Sequence, residues 1–195
     1  MKKMMGLVNV NNRSGFTLVE LLIVVIILAV LAAIVIPQFS SSTDEARESA
    51  LRSTLLQMRN AVELYSHQHN GNYPGAILTD GSGPTTTVAE AQTAFTNQLT
   101  LFSDVNGQTA VARDPAAVPP IRFGPYLKQT NLPVNPIDGT ATLTVVIATA
   151  ANAGALDQPA APAVGDTGWW YDVVSGKFIA YTPGQGIDGT DYYLW

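Results

Sequence analysis

The chain has no cysteine in 195 residues. This rules out disulfides, zinc–thiolate sites and a cysteine nucleophile, so an exported domain here is held by packing, with at most an oxygen-ligated ion. Histidine is almost as scarce. His67 and His69 are the only two; two positions apart on a helix they point in different directions, make a poor metal pair, and read as polar surface residues near a helix end. Charged residues are 13% of the chain against 47% hydrophobic, a low charge density for a soluble domain. Basic charge is the scarcer sign, with 10 Lys and Arg against 15 Asp and Glu, and no nucleic-acid-binding surface is evident. The sequence also has no Gly-rich phosphate loop, metalloprotease helix or nucleophile elbow, so an enzyme reading finds no residues to rest on.

The missing charge has an address. Residues 16–36 contain one ionisable side chain, Glu20. As a helix this run is about 32 Å long, close to the thickness of a bilayer's hydrocarbon core. The basic residues before it are Lys2, Lys3 and Arg13, with no acid among them. That asymmetry predicts a cytoplasmic N-terminus and translocation of everything after Pro37. An ordinary secretory signal fits poorly, because the run is too long and Val30-Leu31-Ala32 is the nearest approach to a small-x-small cleavage site. A plain single-pass anchor explains the length and the basic flank but not Glu20, since a carboxylate in an apolar membrane helix is costly unless neutralised or paired. A cut between Gly15 and Phe16 would create a partner. The new α-amino group lies four residues before Glu20 in the same chain, and between staggered parallel helices it reaches a neighbour's Glu20 equally well.

The stretch Gly15-Phe16-Thr17-Leu18-Val19-Glu20-Leu21-Leu22, with the apolar residues behind it, resembles the N-terminal signal of type IV prepilins and type II secretion pseudopilins. The resemblance covers residues 13–39. It implies cleavage after Gly15 by a membrane prepilin peptidase, N-methylation of Phe16, an assembly role for Glu20 and a helix bend at Pro37. It also implies partners: other copies and pilin-like subunits in a helical filament, an inner-membrane assembly platform, and the lipid bilayer before assembly. Glycine before the cut suits that chemistry, because a residue without Cβ lets a catalytic pair approach the backbone. A second, looser similarity links Gly124-Pro125-Tyr126-Leu127, the Leu132-Pro133-Val134-Asn135-Pro136 stretch with Gly139, and Gly168-Trp169-Trp170-Tyr171-Asp172 to the heads of major pseudopilin-like proteins. The chain departs from that pattern by an insertion at about 141–165 and a shorter C-terminal loop.

The fold expected is α+β and pilin-like. It divides into a leader (1–15), an apolar half-helix (16–37), an amphipathic half-helix (38–70) and a head (71–195). Leu51, Leu55, Met58, Val62 and Tyr65 form one apolar stripe, with Arg47, Arg52, Arg59 and Glu63 off it. Turn residues at 71–75 end that helix. Thr87-Val88-Ala89-Glu90 has the form of a capping box opening a second helix over about 88–102. Strand signals lie at 142–147, 169–174 and 177–181, with Ser175-Gly176 as a two-residue hairpin turn. Residues 113–120 and 150–165 read as exposed loops. Together these predict a small antiparallel sheet packed on one long helix.

Two further readings concern the head. In an alternative to the filament, the chain is a membrane-anchored periplasmic binding module whose Trp169, Trp170, Tyr192, Tyr193 and Trp195 capture a ligand, although such residues also build sheet cores. The loop Gly186-Ile187-Asp188-Gly189-Thr190-Asp191 carries two acids, and resemblance to pseudopilins implies calcium held by Asp188 and Asp191. Calcium takes six to eight oxygens, so two carboxylates fall short without carbonyls or waters, and a solvated turn is the other reading. No other cofactor is expected.

Overall fold

The computed structural model describes residues 15–147 and 159–195, and the side chains of residues 35–41 lie outside it. The expectations for Lys2, Lys3 and Arg13 and for residues 148–158 of the 141–165 insertion therefore fall outside the described residues, as does the side chain of Pro37, where a bend is expected. Helix α1 spans Leu18–Gln68, a range with no glycine and a single proline. It ends two residues short of the expected limit, in a turn where the Gly71 N–H bonds the Ser66 carbonyl at 2.9 Å. Helix α2, Val88–Thr100, opens with the expected capping box. The Glu90 N–H bonds Thr87 Oγ1 at 3.2 Å, and the Thr87 N–H bonds Glu90 Oε2 at 3.0 Å.

The chain divides into two units, Met1–Thr43 and Asp44–Trp195. In the first, the described apolar side chains are solvent-facing, from Leu18 at 81% exposed to Ile34 at 58%. Among the described residues no helix is long and apolar enough to cross a membrane. The described side chains of this run stop at Ile34, while the sequence continues it through Val35 and Ile36.

The second unit holds the core. The α1 stripe of Leu51, Leu55, Met58, Val62 and Tyr65 is buried as expected, against Phe95 and Leu99 of α2 and Trp169, Tyr171 and Phe178. Strands β1 (Phe102–Ser103) and β2 (Thr109–Ala110) pair antiparallel. Strands β3 (Leu143–Val146), β4 (Trp169–Asp172) and β5 (Phe178–Ala180) form a second sheet in that order, and a 3₁₀ turn follows at Tyr192–Leu194. Gln98 is fully buried and ties three loop segments together. Its Oε1 accepts from the Gly75 N–H at 2.8 Å, and its Nε2 donates to the carbonyls of Ile77 and Gly107 at 3.0 and 3.1 Å. The outer strands are sealed by helix side chains: Gln92 Nε2 donates to the Leu143 carbonyl and Arg59 Nε to that of Phe178.

Three details differ from expectation within the α+β architecture. The larger sheet is mixed: β3 runs parallel to β4, with Leu143 opposite Trp169, and only β4 and β5 are antiparallel. A parallel neighbour requires a long crossover, and residues 147–168 supply it. The β4–β5 turn is longer than two residues. The Gly176 N–H bonds the Asp172 carbonyl, and the buried Asp172 carboxylate accepts from the N–H groups of Val174 and Ser175 and from the Ser175 hydroxyl. Gly176 has a φ of +71°, and an added Cβ would lie 2.4 Å from the Tyr73 ring. His67 is exposed, but His69 is not a surface residue. It is 1% exposed, stacked on Tyr65 at 3.7 Å, with Nδ1 2.8 Å from the Tyr65 carbonyl and Nε2 2.9 Å from Ser103 Oγ.

Burial lowers the pKa of His69 from its ordinary 6.5, and contacts with the Tyr65 carbonyl and Asp104 offset part of that. The folded chain therefore resists a proton that the unfolded chain accepts. Stability is fully present above about pH 6.5 and is lost as pH falls below it. A fragment begun near Ser40, which retains the whole core, is expected to be soluble, monomeric and folded. Its melting temperature should fall between about pH 7.5 and about pH 5, by about 2–4 °C for each kcal/mol lost. In His69→Gln that slope should disappear. Thermal melts across this range check both points, and an insoluble fragment or a His69→Gln melt with the same slope would refute them.

Candidate functional site

The start of α1 carries the residues singled out for processing and assembly. Gly15 is exposed, and a Cβ added there would meet nothing within 4 Å. Phe16 beside it is 80% exposed, so the bond between them is open to approach from outside. Glu20 lies in the first turn of α1. Its Oε2 accepts from the Thr17 N–H at 2.8 Å and the Thr17 hydroxyl at 2.9 Å, while the Glu20 N–H bonds Thr17 Oγ1 at 3.2 Å. This is a reciprocal capping box, Thr17-x-x-Glu20. Reading Glu20 for its charge alone had missed it, although the spacing is the same as in Thr87-x-x-Glu90. A cut after Gly15 would leave Thr17 and so the cap in place.

The head has a second constellation, where the C-terminal segment meets α1. Glu48, 7% exposed, accepts from the Ile187 N–H at 2.6 Å and the Tyr192 hydroxyl at 3.5 Å. Arg52 pairs with Asp188 at 3.2 Å and sits 4.1 Å over the Trp195 ring. Arg59 holds the Phe178 carbonyl at 3.0 Å and also bonds the backbone oxygen of Trp195. Glu48, Arg52 and Arg59 are four and seven residues apart, so they fall along one line of the helix. A groove of about 430 Å³ runs beside them, walled by Leu55, Leu56 and Trp195. Gly186 allows the close fit, because an added Cβ would lie 2.4 Å from the Trp195 ring.

This arrangement bears on the two head expectations. Asp188 already has a cation in Arg52, and the Thr190 N–H on its Oδ1, with Arg52, holds its carboxyl below the ordinary carboxylate range. Asp191 precedes the 3₁₀ turn without capping it through its side chain. Among the described residues no group of three or more His, Asp or Glu side chains is placed to hold a metal. Two carboxylates, one of them already paired with Arg52, fall short of the six to eight oxygens that calcium takes. Of the aromatics proposed for ligand capture, Trp169 and Trp170 are 0% and 5% exposed. Tyr192 is buried over Glu48, Trp195 is half-buried under Arg52, and Tyr193 is half-buried.

Comparison with known proteins falls on the same N-terminal residues. The family model of the prokaryotic N-terminal methylation motif matches residues 10–36. The type IV major fimbrial protein FimA of Dichelobacter nodosus is 33% identical over 105 residues, 49% of this chain and 67% of that protein. The chain belongs to the type IV pilin and pseudopilin family. Type II secretion system core protein G of Pseudomonas aeruginosa is 40% identical over 55 residues, 28% of this chain and 39% of that protein. The type IV narrow pilus major component PilA5 of Thermus thermophilus is 39% identical over 57 residues, covering 29% and 49%. The chain thus spans less than half the length of these last two relatives. No solved structure matches it significantly.

The Arg52–Asp188 pair makes calcium testable in this pilin-family head. Its melting temperature is expected to be the same with calcium as with a chelator, and Asp188→Ala should lower it slightly and equally in both. A calcium-dependent rise abolished by Asp188→Ala would place the ion in this loop.

Proposed function

We propose that this chain is the precursor of a structural filament subunit, of the kind that builds a type IV pilus or a type II secretion pseudopilus. A prepilin peptidase cuts it after Gly15, Phe16 is methylated, and the apolar half-helix anchors the subunit in the inner membrane until an assembly platform draws it into a filament. The observation that carries the reading is the N-terminal segment itself, in which exposed Gly15 and Phe16 are followed by a helix whose described apolar side chains are exposed and which the methylation-motif family model matches. Lipid covers that surface before assembly and neighbouring helices cover it afterwards. The basic leader supports a cytoplasmic N-terminus with the head on the far side of the membrane. The relatives include a secretion-system core protein and two proteins named as major components of pili or fimbriae, which supports the reading.

In this reading Glu20 pairs with the Phe16 α-amino group of a neighbouring subunit and sets the axial stagger between them. The cap on Thr17 makes a sharper test available than deletion of the side chain. Gln serves in a capping box as Glu does, but it presents an amide where the ammonium needs a carboxylate. Intact-mass spectrometry of the membrane-extracted protein should show loss of residues 1–15 and gain of one methyl group in the wild type, in Glu20→Gln and in Glu20→Val. Sheared fractions should contain filaments for the wild type and at most about a tenth of that yield for both variants, the scale expected when a buried charge loses its partner. Cleavage at residue 30 or beyond would refute the family-type processing. Full filament yield from Glu20→Gln would reduce Glu20 to a helix cap.

A further inference from the structure

The β1–β2 side of the head holds a pair of arginines that nothing above uses. Asp114 and Ile121 exchange both backbone hydrogen bonds, at 3.1 and 2.9 Å, in an antiparallel bridge. That register puts Arg113 across from Arg122, and both are exposed. Like charges directly opposite on adjacent strands destabilise the pairing. Here each guanidinium is held against a ring: Arg113 lies 5.5 Å over Phe102 and Arg122 5.0 Å over Phe123. Ring contacts orient a guanidinium while leaving its N–H edge unused. Neither arginine has an ion-pair partner among the described residues.

The same chain carries a matching surplus. Beyond residue 15 there are seven basic residues against 15 acidic. Most of the exposed acids are engaged locally: Glu90 caps α2, Asp80 and Asp114 close their own turns, and Asp188 pairs with Arg52. The side chains of Asp44 and Glu45, adjacent and exposed on α1, make no hydrogen bond or ion pair among the described residues, although the Asp44 charge is felt by Tyr192. Copies of so acidic a chain repel one another when packed side by side unless positive groups are set between them. Two neighbouring guanidiniums give that compensation when each takes one of two carboxylates on successive helix positions, with the fork geometry that arginine offers a carboxylate.

We propose that Arg113 and Arg122 form a carboxylate clamp that receives Asp44 and Glu45 of a second copy of this chain. The clamp rests on the filament reading and adds a head-to-head contact to it. A single-stranded nucleic acid fits less well, because its bases bind by stacking on open aromatic faces, and the rings of Phe102 and Phe123 are covered by the arginines themselves.

The test uses the full chain with three charge changes: Arg113→Glu with Arg122→Glu, Asp44→Lys with Glu45→Lys, and all four together. All the altered side chains are exposed, so processed subunit should accumulate in membranes at the wild-type level, which reports folding and recognition. Each double reversal is expected to cut the sheared filament yield about tenfold or more, and the fourfold swap to restore most of it, as pairwise charge complementarity requires. The absence of native cysteine adds a second readout. Arg122→Cys combined with Glu45→Cys should give disulfide-linked dimers on oxidation, and neither single variant should. Wild-type yields from the double reversals, or a fourfold swap no better than they are, would overturn the clamp. Single-stranded DNA retained by the wild type and lost with Arg113→Glu and Arg122→Glu, filaments being unaffected, would overturn it in favour of a phosphate ligand. A wild-type chain that is processed yet forms no filament would instead overturn the filament reading.

Discussion

The head depends on burying one face of α1. Leu51, Leu55, Met58, Val62 and Tyr65 are 0–2% exposed, and each fully buried side chain of this size contributes roughly 1.5–3 kcal/mol of transfer free energy. Everything else in the head is arranged to cover that stripe. Helix α2 lays Phe95 and Leu99 on it, and the sheet brings Trp169, Tyr171 and Phe178. Because the sheet is small, its strands need protection from outside. Gln92 and Arg59 give it, and Arg59 lies on the same helix that carries the stripe.

A helix that carries a core on one face has other faces left for other work. Glu48, Arg52 and Arg59 use one of them to hold the C-terminal segment through a carboxylate, an ion pair stacked on Trp195, and two backbone oxygens. Without cysteine, no covalent staple can hold this segment to the helix. Buried Glu48 and the part-buried Arg59 do so instead, and hydrogen bonds to charged groups are the stronger kind. Arg52 and Asp188 are both half-exposed or more, so their pair adds direction more than stability.

Patterns with a period were legible in the sequence, and contacts without one were not. The stripe on α1, the Thr87–Glu90 cap, the positions of β3, β4 and β5 and the processing motif all repeat or match at fixed spacing. The direction of β3 escaped the strand signal, because alternation of side chains is blind to polarity; only the length of the 147–168 crossover bears on it. The β4–β5 turn was misjudged because Asp172, at the end of β4, closes it through its carboxylate. His69 looked like a surface residue because composition at a helix end says nothing about Ser103, which lies 34 residues away and meets its Nε2. Glu48, Arg52 and Arg59 share a line on α1, but their partners lie more than a hundred residues on.

Glu20 shows how one spacing can carry two meanings. Read for charge, it is an expensive carboxylate in search of a cation; read for geometry, it is the fourth residue of a helix cap. The two meanings are compatible. Both bonds from Thr17 fall on Oε2, and a carboxylate has about four acceptor sites over its two oxygens. Oε1 is therefore free to meet an ammonium while the cap stays closed. The magnitudes point the same way. A cap at an exposed helix end is a modest contribution, whereas taking one partner from an ion pair that has been buried is much more costly. If lipid or a neighbour ever forced a choice, the cap would yield and the pair would remain. With no conflict, the cap supplies something the pair cannot. In the filament proposed above it would fix the Glu20 rotamer and the first turn of α1 in advance, so that the carboxylate would already be oriented when a neighbour's α-amino group came within reach.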